Sequence, residues 1–445
     1  MPKKKTALTI EERLQQALVP AEEQPYEVPE NWVWVRLIGN VNSCLDGYRK
    51  PINSSERAKR VGKVPYYGAT GQVGWIDDYL TNEHFVLLGE DGAPFLDLLK
   101  DKAYIIFGEA WVNNHAHILK SYFGEIGNVF LMHYLNMVDY KDYVKGTTRL
   151  KLTQGSMQLM PFPLPPLSEQ QRIVERIEEL FAKLDEAKER LQEVADSFAV
   201  RKAGILHKAF TGELTKQWRR ENGVSDESWE EKTIGEICSS LKYGTSKKSS
   251  DDGEVVVLRM GNLQNGEIDW SNLAYTSDEE DIKKYLLKSG DVLFNRTNSP
   301  ELVGKTSIYR GEIPAIYAGY LIKLDYEKNI VVGDYLNYYL NSSKAKEYYM
   351  QVKTDGVSQS NINAKKIGEF EIPLPTLPEQ DEIVRLIDDL LARERAAQQA
   401  AEQALASIDL MKKSILARAF RGELGTNKAS EASALELLKQ VLAEG

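Results

Sequence analysis

The chain contains one long internal repeat, and that repeat constrains its fold more than any other feature. The stretch Pro163-Leu-Pro-Pro-Leu-Ser-Glu-Gln170 returns as Pro373-Leu-Pro-Thr-Leu-Pro-Glu-Gln380, an offset of 210 residues. The stretch Ala209-Phe-Thr-Gly-Glu-Leu214 returns as Ala419-Phe-Arg-Gly-Glu-Leu424, at the same offset. The segment between these marks therefore has equal length in both copies. Self-similarity at a fixed period marks a structural unit used more than once. A weaker echo lies upstream, where Trp32 and Trp229 each precede a Leu/Ile-rich stretch containing Gly39 or Gly235, at an offset of 197. The plan is variable segment, constant segment, variable segment, constant segment. It predicts a pseudo-two-fold molecule.

The constant segments read as long helices. Ser168, with Gln171 three residues on, has the pattern of a capping box. Ile173, Ile177, Leu180, Leu184, Ala187, Leu191, Val194 and Phe198 then follow at spacings of four and three, a heptad seam. The second copy carries Ile383, Ile387, Leu390, Glu394, Ala397, Ala401, Ala404, Ile408, Met411 and Ile415 on the same seam. Its middle is Ala where the first copy has Leu191 and Val194, and small residues on one helix accept large ones on another. The expectation is that the two helices pair with each other as an antiparallel coiled coil. From Ser168 to Phe210 such a helix spans ~60 Å, a stiff spacer between two globular units.

The variable segments read as turn-rich α/β domains. Phe85–Leu88, Tyr104–Phe107 and His117–Leu119 are strand-like in the first, and Val255–Leu258, Val292–Phe294 and Ala315–Tyr317 in the second. Charges in the first are balanced, yet Arg57, Lys59, Arg60 and Lys63 cluster, as do Lys242, Lys247 and Lys248 in the second. Such loops suit phosphate contacts. Tyr67, Thr70, Asn113, Asn114 and His115 stand in polar-aromatic loops of the first segment, and Asn295, Arg296, Asn298 and Tyr320 in the second. Asn and Arg read adenine and guanine edges bidentately in the major groove, and they also form turns and caps.

Composition narrows the class. At 445 residues, 42% hydrophobic and 27% charged, the chain is globular and long enough for about three domains. A net charge of −10 argues against a simple basic nucleic-acid binder and points to a grip on DNA shared with a more basic partner. No apolar run is long enough to cross a membrane, and Met1-Pro-Lys-Lys-Lys5 has no apolar run behind it as a secretory signal would. Cys44 and Cys238 read as reduced, buried thiols of a cytoplasmic protein. Enzyme motifs are missing. Gly304-Lys-Thr306 imitates the end of a phosphate-binding loop, but Ser299 stands where the loop's first glycine belongs. There is no nucleophile elbow, zinc-protease helix or dinucleotide fingerprint, and no Asp/Asn-Pro-Pro-aromatic tetrad of an adenine methyltransferase. His115 and His117 alternate as on a strand but lack the further ligands of a zinc site, so no metal is expected.

The doubled element Pro-Leu-Pro-x-Leu-x-Glu-Gln-x-x-Ile-Val at 163–174 and 373–384, each followed by a long helix and Ala-Phe-x-Gly-Glu-Leu, resembles the specificity subunit of Type I restriction–modification systems. Tyr66–Gly74 with Trp111–His117, and Phe294–Gly304, look like two types of target-recognition domain. The resemblance implies an α+β protein with two α/β target-recognition domains separated by two long helices. Its plan here is an N-terminal helical extension (1–30), a first recognition domain (31–162), a conserved helical region (163–214), a linker with the second recognition domain (215–372), a second helical region (373–424) and a helical tail (425–445). It implies a non-catalytic chain that reads one half of a bipartite double-stranded DNA target with each domain. Two methyltransferase subunits and the restriction subunits dock on it, and S-adenosylmethionine, ATP and Mg2+ are bound by those partners. Extra helices at Thr9–Leu18 and Ser433–Leu442 are expected to dock a methyltransferase subunit. The rivals are a coiled-coil scaffold without sequence preference and a fused DNA methyltransferase.

Overall fold

The computed structural model describes residues 9–357 and 359–444. The chain forms two compact units, Met1–Gln192 with Glu402–Gly445, and Glu193–Ala401. Residues 1–8, on which part of the expected N-terminal extension falls, lie outside the described residues.

Each unit is opened and closed by a two-stranded ribbon. In the first, Val33–Arg36 pairs antiparallel with Pro161–Leu164, and in the second Glu230–Thr233 pairs with Glu371–Leu374. Val33 faces Leu164 and Glu230 faces Leu374, so the register is the same at offsets of 197 and 210. The Trp32/Trp229 echo is thus the start of the entry strand. Prolines 161, 163 and 373 are tolerated because each exit strand has a neighbour on one side alone.

Between the ribbon strands, both units build a four-stranded antiparallel sheet in one order. In the first it is Asn42–Cys44, Ala116–Ser121, Phe85–Gly89, Ala103–Ile106. In the second it is Cys238–Tyr243, Leu321–Tyr326, Val292–Asn295, Thr306–Ile308. A smaller sheet also matches. Val64–Gly68 lies between an antiparallel neighbour, Gly71–Ile76, and a parallel one, Glu109–Val112. Val255–Leu258 lies likewise between Tyr275–Thr276 and Ala315–Tyr317. Two sequences with little in common thus reach one strand order.

The helices enter these cores crosswise. In the first unit, Ile173 and Ile177 from the start of the first long helix pack in one core with Leu416, Ala419 and Phe420 from the end of the second. In the second unit, Ile383 and Ile387 meet Leu206 and Ala209. These are the same repeat positions with the copies exchanged. Asp185 pairs with Lys412 at 2.6 Å and Lys188 with Asp409 at 3.6 Å in the first unit, so the two segments run in opposite directions there. Arg201 pairs with Glu394 in the second.

A buried carboxylate locks each crossing. Glu169 is wholly buried in the first turn of its helix. It accepts from the Trp32 indole N–H and the Asn427 amide, both at 2.8 Å. Its repeat mate Glu379, equally buried, accepts from Thr215 and Arg219, both at 2.7 Å. Asn427 and Thr215 follow the ends of the opposite helices. The next residue ties back to its own proline turn, Gln170 to the Pro165 carbonyl and Gln380 to that of Pro375. The doubled Glu-Gln is therefore a structural clamp.

Several expectations are corrected. The first long helix begins at Leu167, so Ser168 lies inside it. The Pro166 carbonyl takes the first helical bonds, and Gln171 reaches forward to Glu175. That helix runs Leu167–Asp196 and resumes as Phe198–Phe210, interrupted at Ser197, whereas the second is continuous from Leu377 to Ala419. Ile173, Ile177, Ile383, Ile387 and Ile408 are buried on the seam, and Leu180, Leu184, Leu191, Leu390 and Ile415 half-buried, but Val194 and Met411 are exposed. A straight helix drifts ~20° per heptad, which moves late positions off the stripe. Cys44 and Cys238 are free but half-buried, not buried. Helices Ile10–Ala17, capped by Thr9, and Ala434–Glu444 pack on one another in the first unit, and Ala17, Leu438 and Leu442 join its core.

Removing Arg219 would leave the Glu379 carboxylate buried without its cation. Arg219→Ala is expected to lower stability by about 3–5 kcal/mol, read as a drop in the urea midpoint, and adding Glu379→Gln should restore much of it. An unchanged midpoint in the single variant would remove the clamp from the account.

Candidate nucleic-acid interface

In the first unit the site is built on the parallel pair of the smaller sheet, where Tyr66 faces Trp111. Both rings are buried. The Arg57 guanidinium lies over Tyr66 at 5.1 Å and that of Arg60 over Trp111 at 4.5 Å. Arg60 is also held by Asp77 at 2.6 Å. Stacking on aromatic faces fixes a guanidinium at low desolvation cost. The strand then ends in an Asx turn, with Asn113 Oδ1 accepting from the His115 amide at 2.8 Å. Arg57, Tyr66, Asn113, Asn114 and His115 line one shallow cleft of about 200 Å³. His115 Nδ1 lies 2.6 Å from Asp91, to which Arg149 also donates at 2.7 Å. Tyr67 packs beside Tyr104. Lys59, Lys63 and Thr70 are exposed, Thr70 at the tip of the Val64–Gly68/Gly71–Ile76 hairpin.

In the second unit Arg296 lies over the Tyr243 ring at 4.8 Å and donates to Asn361 at 3.2 Å. The Arg296 amide donates to the Tyr320 carbonyl, and Gly319 ties to Thr245, which leads into Lys247 and Lys248. Arg296, Tyr320, Lys247 and Lys248 therefore come from loops bound to each other. Tyr320 and Lys248 are exposed, while Lys247 pairs with Asp278 at 2.8 Å. Lys242 sits apart on its strand, paired with Asp325 at 2.8 Å. Asn298 accepts from the Ser299 amide. Asn295 is a correction: it is wholly buried beneath the loop, its oxygen accepting from Thr297, so it cannot reach a base. Tyr243, Asn361, Asp91 and Arg149 escaped the sequence reading, because each reaches the site through pairing with a distant strand.

Behind the first cleft lies a charged network. His117 Nδ1 faces Asp46 at 2.7 Å and Nε2 faces the Leu152 carbonyl at 3.0 Å. Both ring nitrogens are thus engaged, one by a carboxylate and one by a carbonyl oxygen. Arg49 joins Asp46 to Glu90, and Lys151 caps Glu90 at 2.8 Å. Cys44, Asp46 and His117 have ligand atoms within 4.8 Å of one another, a spacing that could hold a metal ion. The chemistry of the set opposes it. Both His117 nitrogens already have partners in Asp46 and the Leu152 carbonyl, and burial beside Asp46 pushes the Cys44 thiol up to about 12.

The chain matches the Type I restriction modification DNA specificity domain over residues 29–196 and again over 226–404. It is 28% identical over 333 residues to the Type I restriction enzyme EcoKI specificity subunit of Escherichia coli K12, covering 71% of each chain. It is 27% identical over 360 residues to the putative specificity subunit S.HindORF215P of Haemophilus influenzae, covering 79% of this chain and 86% of that one. The fold resembles the HsdS subunit from Thermoanaerobacter tengcongensis with a TM-score of 0.60 at 19% identity, over 90% of this chain and 100% of that one. A second structure, solved in work on assembly and conformational transition of the type I R-M system, gives a TM-score of 0.61 at 18% identity, with the same coverage. Among the described residues no helix is long and apolar enough to cross a membrane.

The networks carry a pH signature. Burial would raise the Asp46 carboxyl, but the hydrogen bond and charge of His117, with Arg49, outweigh it and hold the group below its ordinary range. Against burial, Lys242, Lys323 and Ser240 bring Asp325 down to about 2. Groups lowered on folding stabilise fully above their unfolded value, near 4 for a carboxyl, and lose that contribution as the pH falls through the folded value. The carboxylate part of the urea midpoint should hold down to about pH 5 and fall below about pH 4. It comes on top of a loss that begins near pH 6.5, where the His84 and His133 imidazoles, lowered by burial, resist protonation. Lys242→Ala should flatten the acid limb, and an acid limb as steep as in the parent chain would contradict the assignment.

Proposed function

Because this chain belongs to the Type I restriction–modification DNA specificity family, we propose that it is the sequence-reading, non-catalytic subunit of such a system. The observation that carries the reading is the pairing of one strand order in both units with unrelated surface loops. A shared scaffold with different loops suits a protein that reads two different half-sites of one double-stranded DNA target.

In this reading Arg57, Arg60, Asn114 and His115 face the first half-site. Arg296 and Tyr320 face the second, with Lys59, Lys63 and Lys248 on phosphates. The long helices form an antiparallel coiled coil, the exchange of helix ends between cores gives the molecule its pseudo-two-fold axis, and the coil fixes the unread spacer. DNA-reading units one helical turn apart are ~34 Å from each other, within reach of such a rod. Two methyltransferase subunits and the restriction subunits complete the cytoplasmic complex. They supply S-adenosylmethionine, ATP and Mg2+ sites and most of the phosphate contact that a chain of net charge −10 lacks. Adenine is flipped into the methyltransferase pocket. The paired terminal helices dock one of those subunits, and deleting residues 1–20 should impair assembly.

The test is a methylome. Co-expressed with its methyltransferase subunit in a host without adenine methylation, the chain should direct methylation to a two-part motif with a fixed gap. An assembled complex that yields no motif would favour a non-specific scaffold. Arg296→Ala should relax the second half-site alone, by about 1–3 kcal/mol of discrimination at one position. Lengthening the coil should change the gap alone. The turn after Leu214 is unsuitable, since Thr215 belongs to the Glu379 clamp. A heptad inserted after Gln192 and another after Ala401 adds ~10 Å, and the gap should grow by about three base pairs at 3.4 Å each. A constant gap would refute the ruler.

A further inference from the structure

Both units carry a short hairpin just upstream of the exit strand. In the first, Val144–Lys145 pairs antiparallel with Lys151–Leu152. In the second, Thr354–Asp355 pairs with Ser360–Asn361. The leading strands are 210 residues apart, as are Gly146 and Gly356, and as are Thr153 and Asn363, which cap the short helices Gln154–Met157 and Ala364–Gly368. The spacing of 210 therefore extends upstream to the leading strands, while the closing strands Lys151–Leu152 and Ser360–Asn361 are 209 apart, so the first tip is one residue longer. Their tips differ in sequence, Thr147, Thr148 and Arg149 in one and Val357, Ser358 and Gln359 in the other. Gly146 adopts φ +119°, and a Cβ there would lie 2.4 Å from the Arg149 carbonyl oxygen, so the turn demands glycine.

Each hairpin is laid beside the loop that leaves the central strand. Lys151 bridges to Asp91, and the Leu152 amide donates to Glu90 at 2.7 Å. Thr297–Asn298 pairs with Ser360–Asn361 in the second unit. In the first tip Lys145, Thr147, Thr148 and Arg149 are all exposed, with no acidic residue between Asp142 and the end of the hairpin. Asp91 orients the Arg149 guanidinium from one side. A constant frame with a variable, basic, hydroxyl-bearing tip has the chemistry of a β-ribbon that enters a DNA groove, where Arg reads guanine and Thr meets a base edge or the thymine methyl.

We propose that the hairpin 144–152 inserts into a groove of the first half-site, with Arg149, Thr147 and Thr148 determining its specificity. This rests on the DNA-reading function above. The test uses the full chain co-expressed with its methyltransferase subunit, comparing the parent chain, Arg149→Ala, and Thr147→Ala combined with Thr148→Ala by methyladenine sequencing. The variants should lose roughly tenfold or more discrimination at one or two base pairs of the first half-site. The second half-site and co-purification of the complex should be unchanged. A first half-site read as sharply as by the parent chain overturns the proposal. Loss of co-purification also overturns it and makes the hairpin a protein-docking element. A parent chain that directs no two-part motif defeats the DNA-reading function itself, an outcome distinct from both.

Discussion

One buried carboxylate in each unit, Glu169 in the first and Glu379 in the second, ties the start of one long helix to the segment beyond the end of the other. A carboxylate without exposure is costly unless it is bonded, and Glu379 takes both its donors on one oxygen, leaving Oε2 without a partner among the described residues. Each sits in the first turn of a long helix, where the helix dipole favours negative charge, and each is bonded by residues beyond the end of the other helix. The bond is available only if the start of one helix lies beside the end of the other. The same condition brings Ile173 and Ile177 to Leu416 and Phe420, and Ile383 and Ile387 to Leu206. Within each unit, the opposed helix ends and the composition of the core follow from it.

The two clamps are equivalent in place but not in chemistry. The first uses neutral donors, an indole and an amide, while the second uses Arg219, which also lies over Trp229. One clamp is thus an ion pair in a desolvated site and the other is a lone carboxylate satisfied by dipoles. The recognition surfaces diverge in the same manner. Where the first unit's central strand leads into Glu90 and Asp91, the second leads into Arg296 and Thr297. One scaffold therefore carries different residues at one point, two acids that are ion-paired in the first unit and an arginine stacked on Tyr243 in the second.

Much of the fold was legible in the sequence because it rests on local periodicity. The seam Ile173–Ile177 and Ile383–Ile387 and the strands around Val86 and Val292 were readable from spacing, whereas the cap read at Ser168 was not one. The site was less so. Arg57 and Arg296 were singled out by type and neighbourhood, but their aromatic supports, Tyr66 and Tyr243, come from pairing across strands. Asn295 was misread because a turn-forming Asn and a base-reading Asn look alike until burial separates them.

The sequence by itself determined that a unit is used twice, that its constant part is helical and amphipathic, and that no enzyme motif is present, since repeats, heptads and motifs are properties of order along the chain. Only the tertiary structure decided that the helix ends are exchanged between cores, that the doubled Glu-Gln is a clamp, and that the hairpins at 144–152 and 354–361 share a frame. Those facts depend on which distant groups share a desolvated space, and burial is set by the whole fold rather than by any segment of it.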